Sequence, residues 1–122
     1  MTGEVARRKI LFVEDEADLR KAYRIYFTDR YEMAFAGSGA EALEQLGAFM
    51  PDVLVLDMRL PDTDGVDLLG RVRNDYPNLP VVITTAYSSL EPVVGVLGMD
   101  HSGYLLKPFD LKELEAAIDA AR

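Results

Sequence analysis

Short apolar runs alternate with longer segments of helical period along the whole chain, and there are five of each. The runs Lys9–Glu14, Glu32–Ala36, Val53–Asp57, Val81–Thr85 and Tyr104–Leu106 predict strands. Helical spacing predicts helices over Ala17–Thr28, Ala40–Phe49, Val66–Asp75, Pro92–Met99 and Leu111–Ala121. The first, third and fourth runs are β-branched-rich and nearly continuous, as central strands covered on both faces should be, whereas the second and fifth read as flanks. Helix starts are marked by Ser38 or Gly39 ahead of Ala40, with Glu41 placed as a capping-box partner of Ser38. Pro92 in a first turn and Asp110 followed three residues later by Glu113 mark two more. A repeating strand–helix order with right-handed crossovers gives an α/β fold, a parallel sheet sandwiched between helices in three layers.

Ligands of such sheets bind outside the carboxyl ends of the strands, and those ends carry the candidate chemistry here. The first run closes on Glu14-Asp15, the third on Asp57, the fourth on Thr85 and the fifth on Lys107-Pro108. Carboxylates are hard oxygen ligands, and magnesium takes one or two of them together with waters and phosphate oxygens, so Glu14, Asp15 and Asp57 are candidate ligands. The competing reading for the pair is that Asp15 caps the helix starting near Ala17 and Glu14 is solvated. A turn-rich loop, Met58-Arg59-Leu60-Pro61-Asp62-Thr63-Asp64-Gly65, follows Asp57 and lifts the chain off the sheet, exposing that carboxylate; Asp62 and Asp64 read as turn residues, not ligands. An aspartate can attack phosphorus when the negative charges are neutralised, and a metal with Lys107 would do so. Pro108 biases Lys107 toward extended backbone at the strand edge. Thr85 is placed to hydrogen-bond a phosphoryl oxygen, while Thr84 is expected to face a helix-covered side.

Length and charge narrow the classes. The 122 residues point to one domain, residues 1–122, with any effector domain lying beyond Arg122. The absence of cysteine excludes disulfides, thiolate nucleophiles and Cys-based zinc sites, and fits a cytoplasmic location. A net charge of −8 opposes attraction to a nucleic-acid backbone, so no direct nucleic-acid binding is expected. No apolar stretch approaches the roughly 20 residues needed to span a bilayer, and the first residues have no apolar signal core. There is no internal repeat or low-complexity tract.

Taken together, Phe12-Val13-Glu14-Asp15-Glu16, Asp57 with Leu60-Pro61-Asp62-Thr63-Asp64-Gly65, Thr85-Ala86-Tyr87 and Tyr104-Leu105-Leu106-Lys107-Pro108-Phe109 resemble the receiver domain of bacterial two-component response regulators. The resemblance implies a flavodoxin-like five-stranded sheet of order 2-1-3-4-5 with five helices, and a signalling domain that catalyses only its own phosphorylation and dephosphorylation. It implies that Asp57 is the phosphoacceptor, that Glu14, Asp15, Asp57 and the backbone carbonyl of Arg59 arrange Mg²⁺, that Lys107 pairs with the phosphoryl group, and that Thr85 and Tyr104 form a switch. The donor would be a phosphohistidine on a sensor histidine kinase or phosphotransfer protein. The face of the Pro92–Met99 helix, the Tyr104 strand and the last helix would meet a second copy or an effector domain. Arg59 and Tyr87 are large enough to obstruct hydrolytic water, so a persistent phosphorylated state is expected. The sequence departs from the family in Met99-Asp100-His101-Ser102-Gly103, which makes His101 a surface loop residue. The fourth predicted helix also lacks the basic residues of salt-bridged dimers. A haloacid-dehalogenase-like phosphatase would need an acid where Arg59 stands, and a flavodoxin-like carrier would need hydroxyls and glycine where Glu14-Asp15-Glu16 stands.

Overall fold

Side chains alternate across a strand, so each strand of this sheet feeds two separate cores. The computed structural model describes residues 7–86 and 103–122. Within them the elements are β1 (Lys9–Val13), α1 (Ala17–Tyr26), β2 (Glu32–Ala36), α2 (Gly39–Phe49), β3 (Val53–Asp57), α3 (Gly65–Asp75), β4 (Val81–Thr85), β5 (Gly103–Leu106) and α4 (Leu111–Ala120). The predicted Pro92–Met99 helix, Tyr87 and His101 lie outside the described residues. All strand pairs are parallel, in the order β2-β1-β3-β4-β5. β3 and β4 are buried at every position, as their unbroken apolar runs require, while the flanking strands β2 and β5 are partly open.

Leu11, Val13, Leu54, Leu56, Val81 and Ile83 meet Ala42 and Leu46 of α2 and Leu68, Leu69 and Val72 of α3 on one face. Ile10, Phe12, Val53, Val55 and Val82 meet Tyr23 of α1, Phe27, and Leu114 and Ile118 of α4 on the other. The result is the expected three layers. From β1 the chain first winds outward to β2 and later returns to β3 on the opposite side, so the direction of winding reverses between β1 and β3. Such a reversal leaves a crevice at the carboxyl ends, where Glu14 directly follows β1, which ends one residue short of the predicted Glu14, and Asp57 is the last residue of β3. Among the described residues no helix is long and apolar enough to cross a membrane.

Helix α1 stops at Tyr26, two residues before the predicted Thr28. Phe27 leaves helical geometry with φ −97° and ψ 8°. Its ring is wholly buried, stacked 5.7 Å from Phe12, and its carbonyl accepts from the N–H groups of Arg30 and Tyr31. The turn is thus held by core packing that outweighs the local helical period. Helix α2 is capped as expected by Ser38, whose Oγ accepts from Glu41 N at 3.2 Å, although the Glu41 carboxylate reaches back to Gly37 N–H instead of Ser38. Asp110 caps α4 through Glu113 N at 2.8 Å.

The loop after β3 folds back on itself. Arg59 and Asp64 form an antiparallel bridge, and Gly65 N donates to the Met58 carbonyl at 3.1 Å. A Cβ on Gly65 would lie 2.4 Å from Met58 Cα, so only glycine lets α3 begin this close to the strand end. Asp64 caps α3 by accepting from Val66 N at 2.8 Å. The chain therefore leaves Asp57 at the rim and re-enters the fold within one tight loop.

Candidate functional site

Three of the predicted residues meet at the β1/β3 crevice. Lys107 Nζ lies 2.8 Å from Glu14 Oε1 and 3.3 Å from Asp57 Oδ2, so one ammonium is shared between two carboxylates that end different strands. Lys107 directly follows β5, and its backbone N–H donates to the Thr85 carbonyl at 2.8 Å, which holds it at the sheet edge. The remaining carboxylate oxygens take backbone donors: Glu16 N–H reaches Glu14 Oε2 at 3.1 Å and Arg59 N–H reaches Asp57 Oδ1 at 3.3 Å.

Contrary to the expectation that the loop after β3 exposes Asp57, and to the alternative of a solvated Glu14, both carboxylates are almost fully buried, Glu14 at 1% and Asp57 at 2% exposed. Burial pushes the Glu14 pKa up to about 7; the Lys107 hydrogen bond opposes this, and the Asp57 charge adds to it. Burial alone would pull Lys107 down, but its bond to Glu14 and the charges of Asp57 and Glu14 hold it above the ordinary lysine value. With the ammonium charged, two ionised acids leave one uncompensated negative charge in a poorly solvated place. A bound cation would compensate it.

Asp15 and Glu16 lie in the open just beyond, and a carboxylate oxygen from each of Glu14, Asp15 and Glu16 falls within 4.8 Å of the others. Asp57, expected as the third ligand beside Glu14 and Asp15, is not one of these three and is tied to Glu14 only through the shared Lys107 ammonium. An all-oxygen donor set, part buried and part open to water, fits a hard divalent ion such as Mg²⁺. The capping alternative for Asp15 is not what the structure has: Glu16 is the N-cap of α1, without a side-chain cap bond. Arg20 reinforces the turn by donating to the Glu14 and Asp15 carbonyls at 2.7 and 2.9 Å.

A model of the response regulator receiver domain matches residues 10–119. This chain belongs to the response regulator receiver domain family. It is 33% identical over 110 residues to the luminescence regulatory protein LuxO of Vibrio campbellii, covering 89% of this chain and 24% of that one. The chain therefore spans about a quarter of the length of the curated relatives it matches. Among solved structures it resembles the chemotaxis protein CheY4 of Vibrio cholerae, at TM-score 0.86 and 27% identity, covering 96% of this chain and 100% of that one. It also resembles the response regulator TrrA of Thermotoga maritima in complex with Mg²⁺-BeF, at TM-score 0.81 and 26% identity, covering 92% and 96%. Neither the phosphatase nor the flavodoxin-like carrier finds support.

The receiver domain keeps Thr84 and Thr85, the last two residues of β4, on opposite faces of the sheet. Asp57 stands in register with Thr84, whose carbonyl also accepts from Met58 N at 3.0 Å. Thr85 is fully buried and, by the strand's alternation, shares a face with Ile83. Tyr104 is in register with Ile83 and half-buried against the same core cluster. Thr85 and Tyr104 thus lie on one face, opposite to the side of the sheet that Asp57 occupies by register.

Asp62 is more than a turn residue of this receiver domain. Its carboxylate accepts from Gly39 N at 2.7 Å and Ala40 N at 3.0 Å, capping α2 from the loop that follows Asp57. Those two bonds hold its pKa below the usual carboxylate range. A partner 23 residues away leaves no local signal, so sequence reasoning missed this link. Glu16 belongs to the acidic group as well, and its place beside Glu14-Asp15 is the sequence cue to it. Beside Lys107 opens a cleft of about 440 Å³ lined by Glu16, Leu19, Ala86, Lys107, Pro108 and Phe109.

Proposed function

We propose that Asp57 is the phosphoacceptor of this receiver domain, in a site where Lys107 and a Mg²⁺ ion neutralise the transferred group. Glu14, Asp15, Asp57 and the Arg59 backbone carbonyl would hold the ion. The observation that carries this reading is the single ammonium bridging Glu14 and Asp57 at the crevice between β1 and β3. The receiver structure of TrrA with Mg²⁺-BeF supports the same pairing of cation and phosphoryl mimic. When bound, the cation supplies positive charge against the phosphoryl oxygens.

The chain's own residues then do the following. A phosphohistidine of a sensor histidine kinase or phosphotransfer protein enters through the cleft beside Lys107. The Asp57 carboxylate attacks phosphorus in line with the leaving imidazole nitrogen; the P–N bond breaks, its electron pair stays on nitrogen, and a P–O bond forms at Asp57. The transition state is loose, so positioning and charge matter more than covalent help. Lys107 moves its ammonium from the carboxylate pair to a phosphoryl oxygen. Thr85 turns from the opposite face to take another, and Tyr104 fills the space it leaves, which shifts a pre-existing equilibrium of the surface around β5 and α4. A second copy or an effector domain reads that surface, and the domain acts in the cytoplasm. It catalyses only its own phosphorylation and dephosphorylation, with Arg59 beside the acyl phosphate obstructing water.

The test is labelling with acetyl phosphate followed by intact mass. One added phosphate is expected with Mg²⁺, little in excess EDTA, and none in Asp57→Asn. Equal labelling of that variant would end the assignment.

A further inference from the structure

Tyr23 sits on the sheet-facing side of α1, 1% exposed, with its ring 4.9 Å from that of Phe12. Its hydroxyl is buried and has no hydrogen-bond partner among the described residues. A position that served only packing would suit phenylalanine better, because a buried unpaired hydroxyl costs about 1–3 kcal/mol. The direction of the side chain says what the hydroxyl faces. Helical side chains lean toward the start of their helix, and α1 starts at Ala17, directly after the acidic group Glu14, Asp15 and Glu16. Phe12 stands two residues before Glu14 on β1, so Tyr23 rises from the core toward the underside of Glu14. Burial raises the Tyr23 pKa most, and the charges of Glu14, Asp57 and Glu16 raise it further, so the hydroxyl stays protonated and keeps its proton for donation.

We propose that Tyr23 is a positioning residue of the acidic site, donating its hydroxyl to Glu14 from the core side and so orienting that carboxylate toward a divalent cation. This rests on the cation reading given above. In the described state Glu14 takes its donors from Lys107 and from Glu16 N–H. When Lys107 turns to a phosphoryl oxygen, a carboxylate that is 1% exposed loses a donor that water cannot easily replace. The unused hydroxyl of Tyr23 takes over and keeps the carboxylate from rotating.

The experiment titrates Mg²⁺ in the presence of beryllofluoride, a phosphoryl mimic that draws Lys107 away from Glu14, into the wild type, Tyr23→Phe and Tyr23→Leu, following amide chemical shifts around residues 14 and 57, with melting in EDTA measured alongside. Tyr23→Phe is expected to melt in EDTA at or above the wild type, while its Kd for Mg²⁺ weakens on the order of tenfold, as loss of an outer-shell partner does. Tyr23→Leu removes the ring as well and melts lower, yet its Kd should weaken by the same factor, which separates the hydroxyl from the packing. A Tyr23→Phe Kd within twofold of a responsive wild type overturns the proposal, as does a drop in its EDTA melting temperature. A wild type that shows no shifts with Mg²⁺ overturns the cation site itself, and this inference with it.

Discussion

Replacing Asp57 by asparagine keeps the side chain's shape and removes one of two charges that Lys107 must share. Oxygens held at 2.8 and 3.3 Å from one ammonium are no more than about 6 Å apart. At an effective dielectric of about 20, two unit charges at that separation repel by roughly 3 kcal/mol, and the lost attraction between Asp57 and Lys107 is roughly 5 kcal/mol. Against that loss stand the relieved repulsion and the cost of burying the Asp57 charge, which is several kcal/mol for a group exposed by only 2%. The balance favours the variant by about 1–2 kcal/mol in the metal-free protein, or on the order of 4–8 °C in melting temperature. The assay is thermal melting in EDTA at pH 8 and at pH 5. Glu14 decides the pH dependence: its folded pKa, about 7, lies above the ordinary value of 4.5, so its contribution to stability is full below about 4.5 and is lost as pH rises through about 7. The gain from Asp57→Asn should therefore be larger at pH 8, where Glu14 is ionised, than at pH 5. A variant that melts below the wild type at pH 8, or gains equally at both pH values, would show that the two acids are not in conflict.

Three further outcomes follow from particular contacts. Gly65→Ala drives a Cβ to 2.4 Å from Met58 and should cost about 1–3 kcal/mol in urea unfolding; an unchanged midpoint would mean that the loop shifts freely. Asp62→Ala should speed amide exchange at Gly39 and Ala40 while leaving α3 protected, because only the cap of α2 is lost; equal acceleration along α3 would contradict that. With beryllofluoride and Mg²⁺, hydrogen exchange should change most over residues 86–106 in the wild type and far less in Thr85→Ala, and changes confined to the loops around Asp15 and Asp57 would sink the switch.

The sheet was legible because burial on both faces writes itself as unbroken apolar runs. Val53–Asp57 and Val81–Thr85 were placed to the residue, and the open flanks Glu32–Ala36 and Tyr104–Leu106 were separable by their weaker runs. Local chemistry was readable too: Ser38 and Asp110 cap the helices that their side chains announce. What stayed hidden depends on distance or on the pleat. Asp62 looks like a turn residue because its partners are Gly39 and Ala40. Tyr23 looks like one more core position, since a helical period records an apolar ring and is silent about its hydroxyl. The charges at Glu14, Asp57 and Lys107 were found by strand-end logic, but that one ammonium serves both acids follows only from the geometry.

Phosphate is proposed to land on Asp57 and nowhere else. Acyl phosphates are reduced by borohydride, so phosphodonor-treated protein can be reduced, digested and sequenced by tandem mass spectrometry. Homoserine is expected at position 57 in a Mg²⁺-dependent yield, with Glu14, Asp15 and Asp62 unmodified. A reduced residue at any other acid, or an unaltered Asp57 in protein that carries phosphate, would contradict it.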